Sequence, residues 1–160
     1  MTNYICINGK KAELTEEQMK ALGIEVPKAS PFNRAKGQQY YYIASKGIVD
    51  MLREEDDLTD NTLYDIANYC TDRYIMEQRA LHETLNRLLW RYSMTHKENI
   101  IDNKVYSIKY NHDSKELVSG WVHYKSLYIG EIAFDTKEIA NNAIKEIVEP
   151  FMKEHPDFKW

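Results

Sequence analysis

The sequence contains the same pattern twice: three short, tyrosine-rich candidate strands followed by one capped amphipathic helix. The first copy spans residues 39–94 and the second spans residues 104–152, and a shift of 64 residues (42 to 106) pairs Tyr42 with Tyr106. Each sheet needs a cover for one face, and the helix that follows it is the nearest cover. The pattern therefore predicts an α+β fold of two antiparallel β-β-β-α units packed together. The identities between the halves are few, so duplication and convergence explain them equally well.

A small N-terminal β-hairpin and a short helix are expected to precede these units, within residues 1–37. Asn8-Gly9 accepts the positive φ values of a tight hairpin turn. Thr15 and Gln18 have the spacing of a capping box, and Gly23 is a natural residue to end the helix. The rest of this segment contains two prolines and is expected to be a linker.

The two units are expected at residues 38–98 and 99–160, forming one compact globule with the N-terminal segment. The first unit has candidate strands at 39–45, 48–52 and 62–69, and a helix from Thr71-Asp72 to Met94. Its expected apolar stripe comprises Tyr74, Ile75, Leu81, Leu85, Leu88, Leu89 and Tyr92. The second unit has candidate strands at 104–110, 116–124 and 127–134. Its helix begins at Asp135-Thr136, and Pro150 is expected to end or kink it. The expected apolar stripe of this helix comprises Ile139, Ala140, Ala143, Ile144, Ile147, Val148 and Phe151.

Composition indicates an ordinary globular chain without nonspecific affinity for nucleic acid. The hydrophobic fraction is 43% and the net charge is -4, which disfavours general attraction to phosphates. Cys6 and Cys70 have no partners at metal-ligand spacing, which favours two free thiols in a reducing compartment. No segment has the length of a signal peptide core or a membrane span. We therefore expect a cytoplasmic protein with no membrane partner.

Two catalytic patterns fail on inspection, and neither an enzyme nor a cofactor is expected. The run from His82 to Asn86 resembles the zinc-protease pattern His-Glu-x-x-His, but Asn86 replaces the second histidine. Cys70 lies directly before a helix cap, where the helix dipole could lower its pKa. No base or oxyanion pattern accompanies it, so a structural cysteine is the better interpretation.

The strongest candidate surface is an acidic run between the second and third strands of the first unit. Its five carboxylates belong to Glu54, Glu55, Asp56, Asp57 and Asp60. A solvated loop is the commoner meaning of such a run. The functional alternative is a negative strip that mimics nucleic acid phosphates and docks into a basic groove of a protein partner.

Aromatic residues of the strands are the second candidate for partner binding. Tyr40-Tyr41-Tyr42 must place at least one ring on the face opposite its neighbours, and Trp121 shares a face with His123. Tyr41 and Trp121 are therefore candidate interface anchors, since such side chains bury much area at low entropic cost. Stacking on single-stranded bases and a sheet covered on both faces are the alternatives.

Arginines on the long helix of the first unit support a different function. Arg73, Arg87 and Arg91 recur on one outer side, where a basic face could dock on phosphates. Glu77 and Glu83 interleave with them, which favours a salt-bridged exposed face instead.

Three stretches of the chain, at residues 7–18, 68–91 and 148–152, carry a resemblance to known proteins. They run Ile-Asn-Gly-Lys to Leu-Thr-Glu-Glu-Gln, Asn-Tyr-Cys-Thr-Asp through Met-Glu-Gln-Arg-Ala-Leu-His-Glu-Thr-Leu-Asn-Arg-Leu-Leu-Trp-Arg, and Val-Glu-Pro-Phe-Met. Together they resemble a group of small proteins of phages and integrated mobile elements of gut Firmicutes, which has no established catalytic residues. The resemblance covers nearly the whole chain, and the central stretch is its most specific part.

The resemblance implies a non-enzymatic phage or mobile-element protein that binds a host protein or nucleoprotein, in the bacterial cytoplasm. Genes in that setting often encode inhibitors of host defence, including anti-CRISPR proteins that block Cas9. The acidic run would then mimic DNA near the arginines that read the PAM. A nucleic-acid-binding accessory protein of a mobile element is the alternative.

Overall fold

The computed structural model describes residues 4–7, 10–23, 30–98, 103–111, 113–127 and 130–160 and has an α+β fold. The chain divides into two compact units, residues 1–33 and 34–160. Its sheets are three separate two-stranded antiparallel hairpins within the described ranges.

Within its described residues, the smaller unit contains one hairpin and one short helix, as predicted. Strand β1 (Tyr4–Ile7) pairs with β2 (Lys10–Glu13), and α1 (Glu16–Ala21) follows. The Thr15 hydroxyl accepts from the Gln18 amide, and the Gln18 side chain accepts from the Thr15 amide, which forms the expected capping box. The chain adopts a φ of +69° at Gly23, beyond the end of α1. The Asn8-Gly9 turn lies outside the described residues.

The larger unit contains both predicted strand-and-helix units. Its elements in chain order are β3 (Gln39–Ile43), β4 (Val49–Arg53), α2 (Leu58–Asp65), α3 (Arg73–Thr95), β5 (Lys104–Asn111), β6 (Glu116–His123), α4 (Lys137–Ala143) and α5 (Glu149–Glu154). A 3-10 turn at Tyr124–Ser126 follows β6, and a π-helical turn at Ile144–Val148 joins α4 to α5.

The prediction of a third strand in each strand-and-helix unit is wrong. Residues 58–65 of the first unit form α2 instead, because Asp57 and Asp60 make a reciprocal capping box that starts a helix. What remains of each third strand is a single antiparallel bridge, from Tyr41 to Cys70 and from Tyr106 to Phe134. Residues 128–129 of the second candidate strand lie outside the described part of the chain.

The two strand-and-helix units nevertheless have the same order of elements. Each has a hairpin, a bridging residue against its first strand, and a capped helix three residues later. The bridging residues Cys70 and Phe134 are 64 positions apart (134 − 70), and so are the helix starts Arg73 and Lys137 (137 − 73). The offset predicted from the sequence is therefore confirmed at the start of the helices.

The main core lies between α3, the α4–α5 helix and β5–β6. Its buried residues are Leu85, Leu89, Tyr92, Phe134, Ile139, Ala140, Ala143, Val148, Phe151 and Phe158. The predicted stripe of α4–α5 is confirmed, but that of α3 is wrong in its first turn. Tyr74 and Ile75 are 45% and 41% exposed, and Met76 and Ala80 are buried instead.

Pro150 does not end the last helix, which continues to Glu154. The π-helical turn lies directly before it. A proline ring would clash with the carbonyl of Glu146 in a regular α-helix, and a wider turn relieves that clash.

Candidate functional site

The acidic run is organised around Arg34, which lies in the segment before β3. Its guanidinium donates to both carboxylate oxygens of Glu54, at 2.9 Å from Nε and 2.6 Å from Nη2. It also donates to Asn61 Oδ1 at 2.8 Å and lies over the Tyr64 ring at 5.1 Å. Asp56 completes its surroundings at 3.6 Å. Such two-pronged contact is the strong geometry for an arginine–carboxylate pair.

Asp60 is the second centre of this arrangement. Its Oδ1 accepts from the Tyr40 hydroxyl at 2.6 Å, and its Oδ2 accepts from the Glu55 amide at 2.7 Å and the Asp57 amide at 3.3 Å. Tyr40 stacks on Tyr69, with 4.2 Å between ring centroids. The carboxylate is thus surrounded by donors on the inner side of the loop.

These contacts shift the pKa values of the buried groups. The hydrogen bond from Arg34 lowers the pKa of Glu54, against the effect of burial. Burial alone would raise the pKa of Asp60, but the hydrogen bonds from Tyr40 and the backbone outweigh it and lower that pKa. Burial, with the Glu54 carboxylate beside it, raises the pKa of Tyr69 to about 12. The carboxylates of Glu54 and Asp60 are therefore both charged at neutral pH.

The structure corrects the predicted docking role of two of the five acids. Glu54 and Asp60 are each 2% exposed, so neither can reach a partner. Arg34 compensates the charge of Glu54, and hydrogen-bond donors stabilise the charge of Asp60, since buried charges require such partners. Glu55, Asp56 and Asp57 remain exposed.

The three exposed acids occupy a turn with a fixed backbone. Asp56 has a φ of +61°, and its amide donates to Glu54 Oε1 at 3.1 Å. Asp57 is the N-cap of α2, and its Oδ1 accepts from the Asp60 amide at 2.9 Å. Leu58 follows with 82% of its surface exposed. The result is a preorganised anionic turn, residues 55–57, beside an exposed apolar side chain.

The aromatic candidates lie on two different hairpins. Tyr41 is half-buried in β3, where its backbone pairs with Cys70 at 2.7 and 3.0 Å. Trp121 is in β6 and is 64% exposed. Trp121 is therefore exposed enough to serve as an interface anchor. Tyr41 instead mainly holds its hairpin to the segment around Cys70.

The arginine face of α3 is laced with ion pairs, as the interleaved glutamates predict. Arg73 contacts Glu77 at 2.7 Å, and Arg87 contacts Glu83 at 2.9 Å. Arg79 contacts the other oxygen of Glu83, while Arg91 is exposed. Phosphate binding through Arg73 or Arg87 would first have to break a local pair, although exposed pairs are weak.

Cys70 and His82, the candidate nucleophile and metal ligand, have the surroundings of structural residues. Cys70 is buried, and burial raises the pKa of its thiol, which opposes the activation that a helix start could provide. The His82 ring packs on Phe158, with 4.7 Å between centroids. Among the described residues, no three His, Cys, Asp or Glu side chains are grouped to hold a metal ion. None of the helices in those residues combines the length and apolarity needed to cross a bilayer.

No local sequence pattern indicates Arg34, the residue on which the site depends. It lies 20 positions from Glu54 in a segment expected to be a linker. The α2 helix did have a signal, since Asp57 and Asp60 have capping-box spacing before a run of helix-compatible residues.

The chain matches no protein-family model, and no curated protein or solved structure is detectably similar to it.

Proposed function

We propose that this protein is a non-enzymatic binder that inhibits a host defence nucleoprotein, most concretely a Cas9-type nuclease. The observation that supports the proposal is the anionic turn, in which three consecutive exposed carboxylates are held in one backbone conformation. Rigid presentation lowers the entropy lost on binding, and a negative strip complements a groove built to hold phosphates. The resemblance to phage and mobile-element proteins gives the class of partner.

The buried pairs strengthen this proposal by fixing where the charge is displayed. Arg34 pairs with Glu54, and Asp60 accepts its hydrogen bonds on the inner side of the loop, so the exposed carboxylates are those of Glu55, Asp56 and Asp57. Leu58 provides apolar surface beside them. Protein interfaces usually combine an apolar core with a polar, solvent-accessible rim.

The test is a DNA cleavage assay with a Cas9-type nuclease and its guide RNA, at two salt concentrations. The wild type should inhibit cleavage, and inhibition should weaken as salt rises because the attraction is electrostatic. The triple variant Glu55→Gln, Asp56→Asn, Asp57→Asn should lose at least about tenfold in inhibition, since three charges at an interface are removed. Asparagine tolerates positive φ and caps helices, so these changes preserve the turn.

The matched control removes the same charge from other exposed positions, with Glu98→Gln, Asp113→Asn and Glu149→Gln. It should inhibit like the wild type. A wild type that leaves cleavage unchanged, or a triple variant as potent as the wild type, would refute the proposal. Direct binding of DNA with a steep salt dependence would instead favour the nucleic-acid-binding alternative.

A further inference from the structure

The outer edge of β6 is a long strand edge with no partner strand among the described residues. β5 and β6 form a two-stranded sheet over eight residues each. The other edge of this sheet, along β5, is bridged where Tyr106 exchanges two hydrogen bonds of 2.8 Å with Phe134. No strand in the described part of the chain pairs with β6 on its outer side.

The bridge at Tyr106 determines which backbone groups of β6 face outward. The N–H and C=O of Tyr106 point to Phe134, away from β6, so Tyr106 and Trp121 form a non-hydrogen-bonded pair. The N–H and C=O of Trp121 therefore point away from β5. By the same alternation, so do those of Leu117, Ser119 and His123. Within the described residues, nothing bonds to the outward groups of Leu117, Ser119 or Trp121.

The side chains of this edge do not protect it from pairing. Residues 117–122 have the sequence Leu-Val-Ser-Gly-Trp-Val, without a charge or a proline. Exposed edge strands are usually blocked by lysine, proline or a bulge. Val118 and Trp121 are 38% and 64% exposed and lie on opposite faces. The edge thus offers unpaired backbone between apolar side chains.

We propose that β6 pairs with β6 of a second copy of this chain, antiparallel and centred on Gly120. A two-fold axis perpendicular to a sheet places side chains of the same face opposite each other, so Gly120 meets its own counterpart. The outward groups then match: Leu117 with the partner's His123, and Ser119 with the partner's Trp121. This register forms about six main-chain hydrogen bonds, because the His123 C=O already accepts the first bond of the 3-10 turn that follows β6.

The edge is complementary to itself in this register. Val118 lies opposite the partner's Val122, and no charged side chain of residues 117–122 opposes another. Gly120 occupies a non-hydrogen-bonded position across the new interface, where backbones approach most closely. A closed two-fold pair covers the outer edge of β6 in both copies, so it does not continue into a fibre. These features favour a second copy over a strand from another protein.

The experiment places charge on the axis without crowding the monomer. A Cβ added at Gly120 would have nothing within 4 Å, so a side chain fits there. Sedimentation equilibrium should give a mass of two chains for the wild type at high concentration. Gly120→Lys and Gly120→Glu should each give one chain, because like charges then lie directly opposite. An equimolar mixture of the two variants should restore the mass of two chains.

The control is Gly120→Thr, a neutral side chain suited to strands, which should remain dimeric. Circular dichroism of each variant verifies that the fold is retained. A wild type with the mass of one chain at every concentration overturns the proposal, even if some other protein binds this edge. Dimeric lysine and glutamate variants, or a mixture that stays monomeric, overturn the register and with it the proposal.

Discussion

Arg34 and Asp60 hold the acidic loop in its conformation. Each forms hydrogen bonds with partners that are distant in sequence or that no sequence pattern indicates. Arg34 holds Glu54 at two points, and Asp60 gathers the Tyr40 hydroxyl and two loop amides. Removing one member of a buried arrangement leaves the others desolvated and unpaired. The stability of this loop should therefore be sensitive to single atoms.

Tyr40→Phe tests that sensitivity by deleting only the hydroxyl that donates to Asp60 at 2.6 Å. We expect the free energy of unfolding to fall by about 1–3 kcal/mol, because a buried carboxylate loses a donor. Urea unfolding followed by circular dichroism measures the change. Tyr42→Phe, in the half-buried position two residues along, is the control and should stay within about 0.5 kcal/mol of the wild type. Equal losses in both variants would contradict the role given to the Tyr40 hydroxyl.

The lowered pKa values of Glu54 and Asp60 predict acid sensitivity. Their folded pKa values lie below the ordinary values of 4.5 and 3.8, so the stabilisation is complete above those values. It is lost as the pH falls through the folded pKa values, since protonation then breaks the pairs. Unfolding in urea between about pH 6 and pH 2 should show this loss. Glu54→Gln should flatten part of the slope, whereas exposed Glu55→Gln should leave it unchanged.

At the scale of elements, what could be predicted depends on whether the determining contacts are local. The Thr15–Gln18 capping box, the β3–β4 and β5–β6 hairpins and the α4–α5 stripe depend on neighbours in sequence, and the sequence predicts them correctly. Residues 62–69 contain β-favouring side chains, but Asp57 and Asp60 start a helix that outweighs them. The Arg34 contacts depend on a fold that brings distant segments together, and no local pattern indicates them.

The cap of α2 belongs to this scale and can be tested separately from its charge. Asp57→Ala removes the side chain that accepts from the Asp60 amide and should lower the free energy of unfolding by about 0.5–2 kcal/mol. Asp57→Asn retains an accepting oxygen and should lose much less. Thermal or urea unfolding distinguishes them. If both substitutions cost the same, charge rather than capping would be what Asp57 contributes.

At the scale of the whole molecule, each half of the larger unit consists of a hairpin and the helix that follows it. Very little sheet structure links the hairpin to the segment before that helix. Each hairpin meets the segment before its helix through one bridge, Tyr41 to Cys70 and Tyr106 to Phe134. The sequence repeat reflects this shared order of elements and the 64-residue offset of the helices (137 − 73). The halves differ in the anionic turn of the first and in the outer edge of β6 in the second, which no strand of the described residues pairs.

The single bridges also bear on how the chain folds. Hairpins and helices form from contacts close in sequence, but each bridge closes a loop of 29 residues (70 − 41) or 28 residues (134 − 106). Closing such loops costs entropy before the helices can pack on their hairpins. We expect the hairpins and helices to form early and the bridges to close late. In the native protein the same two positions would open first, giving the amides of Cys70 and Phe134 faster hydrogen exchange than the middle of α3.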